Sequence, residues 1–228
     1  MLRKPAQFCF ARMGSMVFVL LILVSVKPIS ASGQEKSLFR SFSQLSRPEK
    51  WWVVTHPFIA AKTFRISEQS SDTAQMLVKR DMLDGDIHGG QVDAFKHAFW
   101  MAMLVQHIRP AKARKLGKAH EKGDYLNFKQ KLKSGQTTTH DQAATEMDLF
   151  NNEKGIEIGL AHKNETVDAL RDHVIDAILK GDMMKIRKDQ HGNSLSATGD
   201  ILPTSDYKNK WETKRVLVPS DEFPGQNP

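Results

Sequence analysis

The sequence predicts a mainly α-helical protein: a compact bundle around a buried central helix at about residues 91–108, with a small C-terminal β-hairpin. The central segment contains neither proline nor glycine up to Ile108 and is apolar on every side between Ala98 and Val105. This pattern is typical of a helix at the centre of a bundle. A second segment, 165–180, has apolar residues at helical spacing, and short strand-like runs follow it.

Capping and helix-breaking residues define where the other predicted helices begin and end. Ser46, followed by Pro48 and Glu49, is typical of a helix start. Pro57 should end or kink this first helix. Further helical stretches are predicted at residues 58–66, 72–83, 111–122, 125–133 and from the cap at 138–141 to 162.

The C-terminal part is predicted to hold one hairpin and a polar tail. Residues 184–187 and 194–196 flank the turn-forming sequence 190–193, which is a hairpin pattern. The predicted organisation is a signal peptide at 1–31, a linker at 32–46, a helical domain with the hairpin at 47–202 and a tail at 203–228.

The N-terminal residues predict export to the periplasm or the medium. A positively charged start precedes an apolar run at residues 16–26 and small residues at 30–33. This is the layout of a secretory signal peptide. The run is too short for an ordinary membrane span. Cleavage near Ala31 should remove it and leave no transmembrane segment. An uncleaved membrane anchor is the alternative.

Loss of the signal peptide would change the chemistry open to the mature chain. It would remove Cys9, the only cysteine, and with it any disulfide, thiol nucleophile or thiolate metal site. It would also lower the Lys and Arg count from 33 to 29 against 26 Asp and Glu, and the formal charge from +7 to +3. So weak a positive charge argues against nucleic acid as the partner.

Polar residues on the central helix form the first candidate site. Asp93 and His97 are four residues apart and share a face that Trp100 continues. A carboxylate beside an imidazole can orient the ring and raise its basicity. The same pair could hold a metal ion together with a ligand from another helix.

A second candidate group is His120 with Glu121. His120 falls on the helical stripe of Ala113 and Leu116 and is therefore predicted to point inward. Glu121 diverges from it by about 100°, so one residue would act while the other supports it. The alternative is a buried histidine bonded to a backbone carbonyl.

The third group lies on the helix predicted to end at residue 162. Asp148, Asn152, Gly155 and Gly159 line one face at spacings of four, three and four, and Asn151 is adjacent. Glycine inside a helix costs up to about 1 kcal/mol. Either a functional site or close helix packing is expected where such residues gather.

Three ordered motifs, at residues 89–100 (GGQVDAFKHAFW), 119–121 (AHE) and 147–152 (MDLFNN), are followed by Gly155. In this respect the chain resembles a family of bacterial secreted and surface-protein domains of unknown function. The resemblance implies a helical fold with a candidate pocket and brings no settled activity. The family often has arginine in place of Lys96, and lysine cannot form the planar two-bond contact of a guanidinium.

Two functional hypotheses remain open from the sequence. One is a hydrolase that acts on an envelope lipid or a cell-wall ester or amide, with a divalent metal ion as a candidate cofactor. The other is a non-enzymatic envelope protein with a buried polar network. The candidate residues are Asp93, His97, His120 and Glu121 for catalysis, Lys96, Trp100, Asn151 and Asn152 for substrate binding, and His97, His120 and Asp148 for metal.

Overall fold

The computed structural model of the protein describes residues 41–222. Residues 41–44 are helical, and the chain divides after Gln44. All elements named below belong to the unit that begins at Leu45. The predicted signal peptide lies outside the described residues.

Seven helices and two short strands follow one another between Leu45 and Glu222. They are α1 (Arg47–Thr55), α2 (Pro57–Leu77), α3 (Gln91–Val105), α4 (Pro110–Lys133), α5 (Gln142–Ala161), α6 (Val167–Leu179), β1 (Met184–Ile186), α7 (Thr204–Tyr207) and β2 (Leu217–Pro219). The predicted mainly α-helical fold class with a small antiparallel sheet near the C-terminus is confirmed. Among residues 41–222, none of the helices combines the length and the apolar character that a membrane crossing requires.

Helix α3 is the buried centre of the bundle, as its all-round apolar sequence predicts. Twelve of its 15 residues are buried, and α2, α4, α5 and α6 pack around it. Each large side chain buried in this way contributes about 1.5–3 kcal/mol to stability. Any polar side chain on α3 is therefore held inside the bundle rather than at its surface.

Helices α3 and α5 approach closely through two glycines of α5. A β-carbon at Gly155 would collide with the backbone of Ala98, and one at Gly159 would collide with that of Ala102. The two glycines therefore allow the backbones of α3 and α5 to touch, which explains why α5 contains residues that disfavour helices.

The ends of the helices follow the predicted capping residues. Ser46 and Glu49 form a reciprocal capping box at the start of α1. The Asp141 side chain accepts a hydrogen bond from the Ala144 backbone N–H and caps α5. Gly181, with a φ of 81°, follows α6.

Two predicted helix breaks are wrong. Helix α2 is continuous, and the serines near its middle bond to α3: the Ser70 hydroxyl donates to the Lys96 carbonyl and Ser67 accepts from the Trp100 indole. Helix α4 continues through Gly123 because the Ser46 side chain packs against that glycine, where a β-carbon would collide with it.

The pairing of the predicted hairpin also needs correction. Strand β1 pairs with β2, with Lys185 opposite Val218. The predicted partner segment instead forms two isolated bridges, Lys188 with Ser194 and Leu195 with Ile201. The C-terminal segment docks on the bundle, and Trp211 packs against Tyr125 and Phe128 of α4.

We expect Gly155→Ala to lower the free energy of unfolding by at least about 2 kcal/mol, because the added methyl group must displace the α3 backbone. Urea unfolding followed by circular dichroism measures this change. Asn127→Ala on the exposed face of α4 is the control and should change stability by less than about 0.5 kcal/mol. Stabilisation by Gly155→Ala, as helix propensity alone favours, would contradict the close packing of α3 and α5.

Candidate functional site

The buried His97 side chain lies at the centre of a polar cluster drawn from three helices. Its Nε2 atom lies 3.4 Å from Asp148 Oδ1 on α5 and 3.8 Å from Asp93 Oδ1 on α3. On the other edge of the ring, Nδ1 lies 4.0 Å from Glu121 Oε1 on α4. Three carboxyl groups thus surround one imidazole inside the helical core.

Several atoms of this cluster have no protein partner. Among the described residues, six buried side-chain nitrogen and oxygen atoms make no hydrogen bond, and they are His97 Nδ1, Glu121 Oε1 and Oε2, Asp148 Oδ1, and Asn152 Nδ2 and Oδ1. Each unpaired buried polar atom costs about 1–3 kcal/mol. Buried polar atoms of this kind are explained by strain, by a catalytic role, or by a bound water or ion.

Asp93 is fixed by the turn before α3. Its Oδ2 accepts from the Gly89 backbone N–H at 2.9 Å, and Gly89 can present that N–H because its φ is 99°. Its Oδ1 accepts from Lys96 Nζ at 2.9 Å. The two contacts hold the carboxylate on the side of His97 that also carries Asp148.

His120 was predicted to point inward, but Glu121 is the more deeply buried of the two residues on α4. Glu121 is the buried residue, with 3% exposure, whereas the His120 side chain is 34% exposed. His120 Nδ1 lies 2.9 Å from Glu49 Oε1 on α1, and its ring packs edge-on against Trp100. The reason is Gly117, which lies against the Asn152 amide and turns the Gly117–Glu121 face of α4 toward the cluster.

The predicted metal role of His120 is not supported by its position. Its ring centroid lies 6.0 Å from that of His97, and its nitrogens face Glu49 and Asp124. Asp93, His97 and Asp148, by contrast, place one ligand atom each within 4.8 Å of one another. The metal-ligand set that the geometry offers is therefore one imidazole and two carboxylates.

Two other groups of candidate ligands occur in the described part of the chain. His162, Glu165 and His173 form one at the surface, where the Glu165 carboxylate already binds both histidines. The other consists of Glu121, Asp124 and His140, and the His140 ring is bonded to the Thr145 hydroxyl. The second of these groups shares Glu121, with its two unpaired oxygens, with the cluster around His97.

Burial and neighbouring charges set the protonation of the cluster. Burial, together with the charges of Lys96 and His120, lowers the pKa of His97 well below its usual range, which keeps the imidazole neutral. Burial raises the pKa of Asp148 well above its usual range, and the negative charges of Asp93 and Glu121 add to this effect. Burial also raises the pKa of Glu121 to about 8, against the opposing charge of His120.

The pKa of His120 shifts in the opposite direction from that of His97. Burial lowers the pKa of His120, but the hydrogen bond to Glu49 and the charges of Asp124 and Glu121 outweigh it and raise the pKa to about 9. The ring is therefore cationic at neutral pH, while His97 beside it is neutral. The pair offers a charged donor and a neutral base or ligand within one site.

A cleft of about 350 Å³ leads to His97 from the surface. Its walls are largely apolar and come from α1, α2, α3 and α4, with Trp52, Val53, Phe64, Trp100 and Leu116 among the lining residues. Lys96 and His120 also line it. The cleft therefore combines an apolar channel with two cationic groups next to the neutral imidazole.

Of the four predicted substrate-binding residues, two line the cleft, one belongs to the cluster and one lies elsewhere. Lys96 and Trp100 line the cleft, and Asn152 belongs to the set with unpaired atoms. Asn151 does not face the cluster as expected. Its amide donates to the Met184 carbonyl and accepts from the Met184 backbone N–H, both at 2.9 Å, and so fastens β1 to α5.

Glu49 and Ser67 are parts of the site that the sequence interpretation missed. Glu49 was predicted only as a capping residue, yet one carboxylate oxygen accepts from the Ser46 backbone N–H and the other binds His120. Ser67 orients the Trp100 indole that lines the cleft. No spacing within one helix could reveal either contact, because each joins different helices.

We expect Glu121→Met to raise the free energy of unfolding by about 1–2 kcal/mol in the presence of a chelator, because it replaces two unpaired buried oxygens with apolar atoms of similar volume. Urea unfolding at pH 7 in EDTA measures this change. Glu121→Gln, which keeps polar atoms there, is the matched control and should alter stability little. A loss of more than about 1 kcal/mol in Glu121→Met would mean that Glu121 has a stabilising partner.

The comparisons with known proteins identify a family and no activity. A family model described as a domain of unknown function (DUF6973) matches residues 50–182, which include every member of the cluster around His97. No curated protein and no solved structure matches the chain. Since the match spans more than half of the sequence, the chain belongs to this family of domains of unknown function.

Proposed function

We propose that the protein is an exported hydrolase that uses a divalent metal ion held by Asp93, His97 and Asp148. The observation that carries this proposal is the set of six buried, unpaired polar atoms gathered around His97, which itself lines a cleft. A site with this composition, reached from the surface by a largely apolar channel, is a typical arrangement for binding and converting a small substrate.

The spacing of the three candidate ligands supports a metal ion. Two atoms that bind one ion at about 2.0–2.2 Å lie roughly 3–3.5 Å apart. His97 Nε2 lies 3.4 Å from one carboxylate oxygen and 3.8 Å from the other, so small side-chain rotations suffice. One neutral imidazole and two carboxylates suit zinc or manganese.

Glu121 would act as a positioning residue in this arrangement. A histidine that binds a metal through one nitrogen usually donates its other N–H to a carboxylate or carbonyl, which fixes the ring. Glu121 Oε1 lies 4.0 Å from His97 Nδ1, which is beyond hydrogen-bond distance but within reach of a rotation about the glutamate side chain.

The remaining groups suggest how a reaction would proceed. The bound ion would supply an activated water and polarise the bond under attack. Lys96 and His120 line the cleft, and their positive charges would stabilise negative charge that develops on the substrate in the transition state. Asn152 would accept from or donate to the polar part of the substrate.

The charge and shape of the cleft favour an envelope ester or amide with an apolar portion. The apolar walls would hold the carbon chain, and the cationic groups would face the polar end. The rival hypothesis, a closed structural network, requires the buried polar groups to satisfy one another. Six atoms without a partner among the described residues argue against it.

We expect His97→Ala to lose both the bound metal ion and hydrolytic turnover, because it removes the central ligand. Elemental mass spectrometry after equilibration with zinc or manganese, and rate measurements on a panel of acyl esters, amides and phospholipids, test the two effects. The protein used begins at residue 32 and carries no tag, and circular dichroism monitors its fold.

His191→Ala is the matched control, because His191 is exposed and its ring contacts the Gln190 amide outside the cluster. It should keep about one ion per chain and full turnover. Full activity of a folded His97→Ala protein would refute the catalytic assignment. An ion retained in His97→Ala at the level of the control would refute the metal site.

A further inference from the structure

Large apolar side chains are exposed where α1 ends and α2 begins. Trp51 is 70% exposed and Phe58 is 96% exposed, and Val54 between them is also exposed. Scattered single apolar residues are common on protein surfaces, but two aromatic side chains and a valine exposed within eight residues concentrate apolar area at this corner.

Basic residues share the helix faces of these apolar side chains. On α1, Arg47 precedes Trp51 by four residues, and the spacing places both on one face of the helix. On α2, Lys62 and Arg65 follow Phe58 by four and seven residues and lie on its face. All three basic side chains are exposed.

Little negative charge lies within this stretch of the chain. Glu49 is the only acidic residue between Arg47 and Arg65, and its carboxylate is engaged by His120 and by Ser46. The corner between α1 and α2 therefore presents aromatic side chains among cations. This composition is typical of segments that rest in the headgroup region of an anionic bilayer.

The same two helices form walls of the cleft that leads to His97. Trp52 and Val53 line it from α1, and Phe64 lines it from α2. Each neighbours a residue of the exposed surface, as Trp52 neighbours Trp51. The two helices that carry the exposed side chains therefore also supply apolar walls of the cleft.

We infer that the corner formed by Arg47, Trp51, Val54, Phe58, Lys62 and Arg65 docks on an anionic membrane and that the cleft receives a phospholipid from it. The docking surface is inferred from the exposure and charge of these side chains. The identity of the substrate rests on the proposed function. Aromatic side chains suit this position because their rings are apolar while the indole N–H can bond to headgroups.

Vesicle co-sedimentation tests the docking surface directly. The untagged chain from residue 32 onward, which keeps every described residue, is mixed with vesicles of phosphatidylglycerol and phosphatidylcholine or of phosphatidylcholine alone. We expect preferential binding to the anionic vesicles. The double variant Trp51→Ser/Phe58→Ser should bind them at least about tenfold more weakly, and Arg47→Gln/Lys62→Gln/Arg65→Gln should lose the preference for anionic lipid.

Ile201→Ser is the matched control, because Ile201 is 59% exposed and lies outside the corner. It should bind vesicles as the unchanged protein does. No binding of the unchanged protein to anionic vesicles would overturn the inference. Equal binding by Trp51→Ser/Phe58→Ser would also overturn it, because the aromatic side chains would then have no part in docking.

Two further measurements separate this inference from the proposed function. Trp51→Ser/Phe58→Ser should retain the metal ion and hydrolyse a soluble short-chain ester at an unchanged rate, whereas His97→Ala should still bind vesicles. Vesicle binding without any hydrolysis would contradict the proposed function and support the docking surface. Hydrolysis of vesicle lipid without measurable vesicle binding would support the function and overturn the docking surface.

Discussion

The close contact between α3 and α5 is the constraint on which the rest of the structure depends. Gly155 and Gly159 allow the α5 backbone to lie directly on Ala98 and Ala102. Asp148 and Asn152 share the face of α5 that carries these glycines, and His97 is adjacent to Ala98 on α3. The same contact that closes the core therefore sets the register that brings Asp148 within 3.4 Å of His97. A larger residue at either glycine would push α3 and α5 apart and so disrupt both the core packing and the site.

The cluster around His97 is a local departure from what stability alone would favour. The core around it is apolar and closely packed, and an apolar side chain in place of Glu121 or Asp148 would avoid unpaired buried atoms. Natural proteins retain such costs mainly where function requires them. In the proposed metal centre, the ion would offset the charge of the neighbouring carboxylates and bind Asp148 Oδ1, one of the unpaired oxygens, while the Glu121 and Asn152 side chains would be left to face water or a substrate.

Much of the fold and part of the site could be predicted from the sequence, because both depend on periodicity within single helices. The Asp93–His97 pair and the face of α5 that begins at Asp148 are examples. The inward residue of α4 could not be predicted, since apolar spacing favoured His120. Gly117 instead packs against Asn152 and turns Glu121 inward. The partner of β1 was missed for a related reason: β2 is about 30 residues away in the chain, and its pairing depends on how the C-terminal segment docks.

Crystals grown with manganese or zinc, with anomalous diffraction recorded at the absorption edge of the metal, would test the proposed metal centre. We expect one anomalous peak at about 2.0–2.3 Å from His97 Nε2 and from a carboxylate oxygen of both Asp93 and Asp148. An ordered cluster without such a peak, in which the six unpaired atoms bond to one another, would contradict the account. The residues around His97 would then be a structural network, and the hydrolytic function would lose its main support.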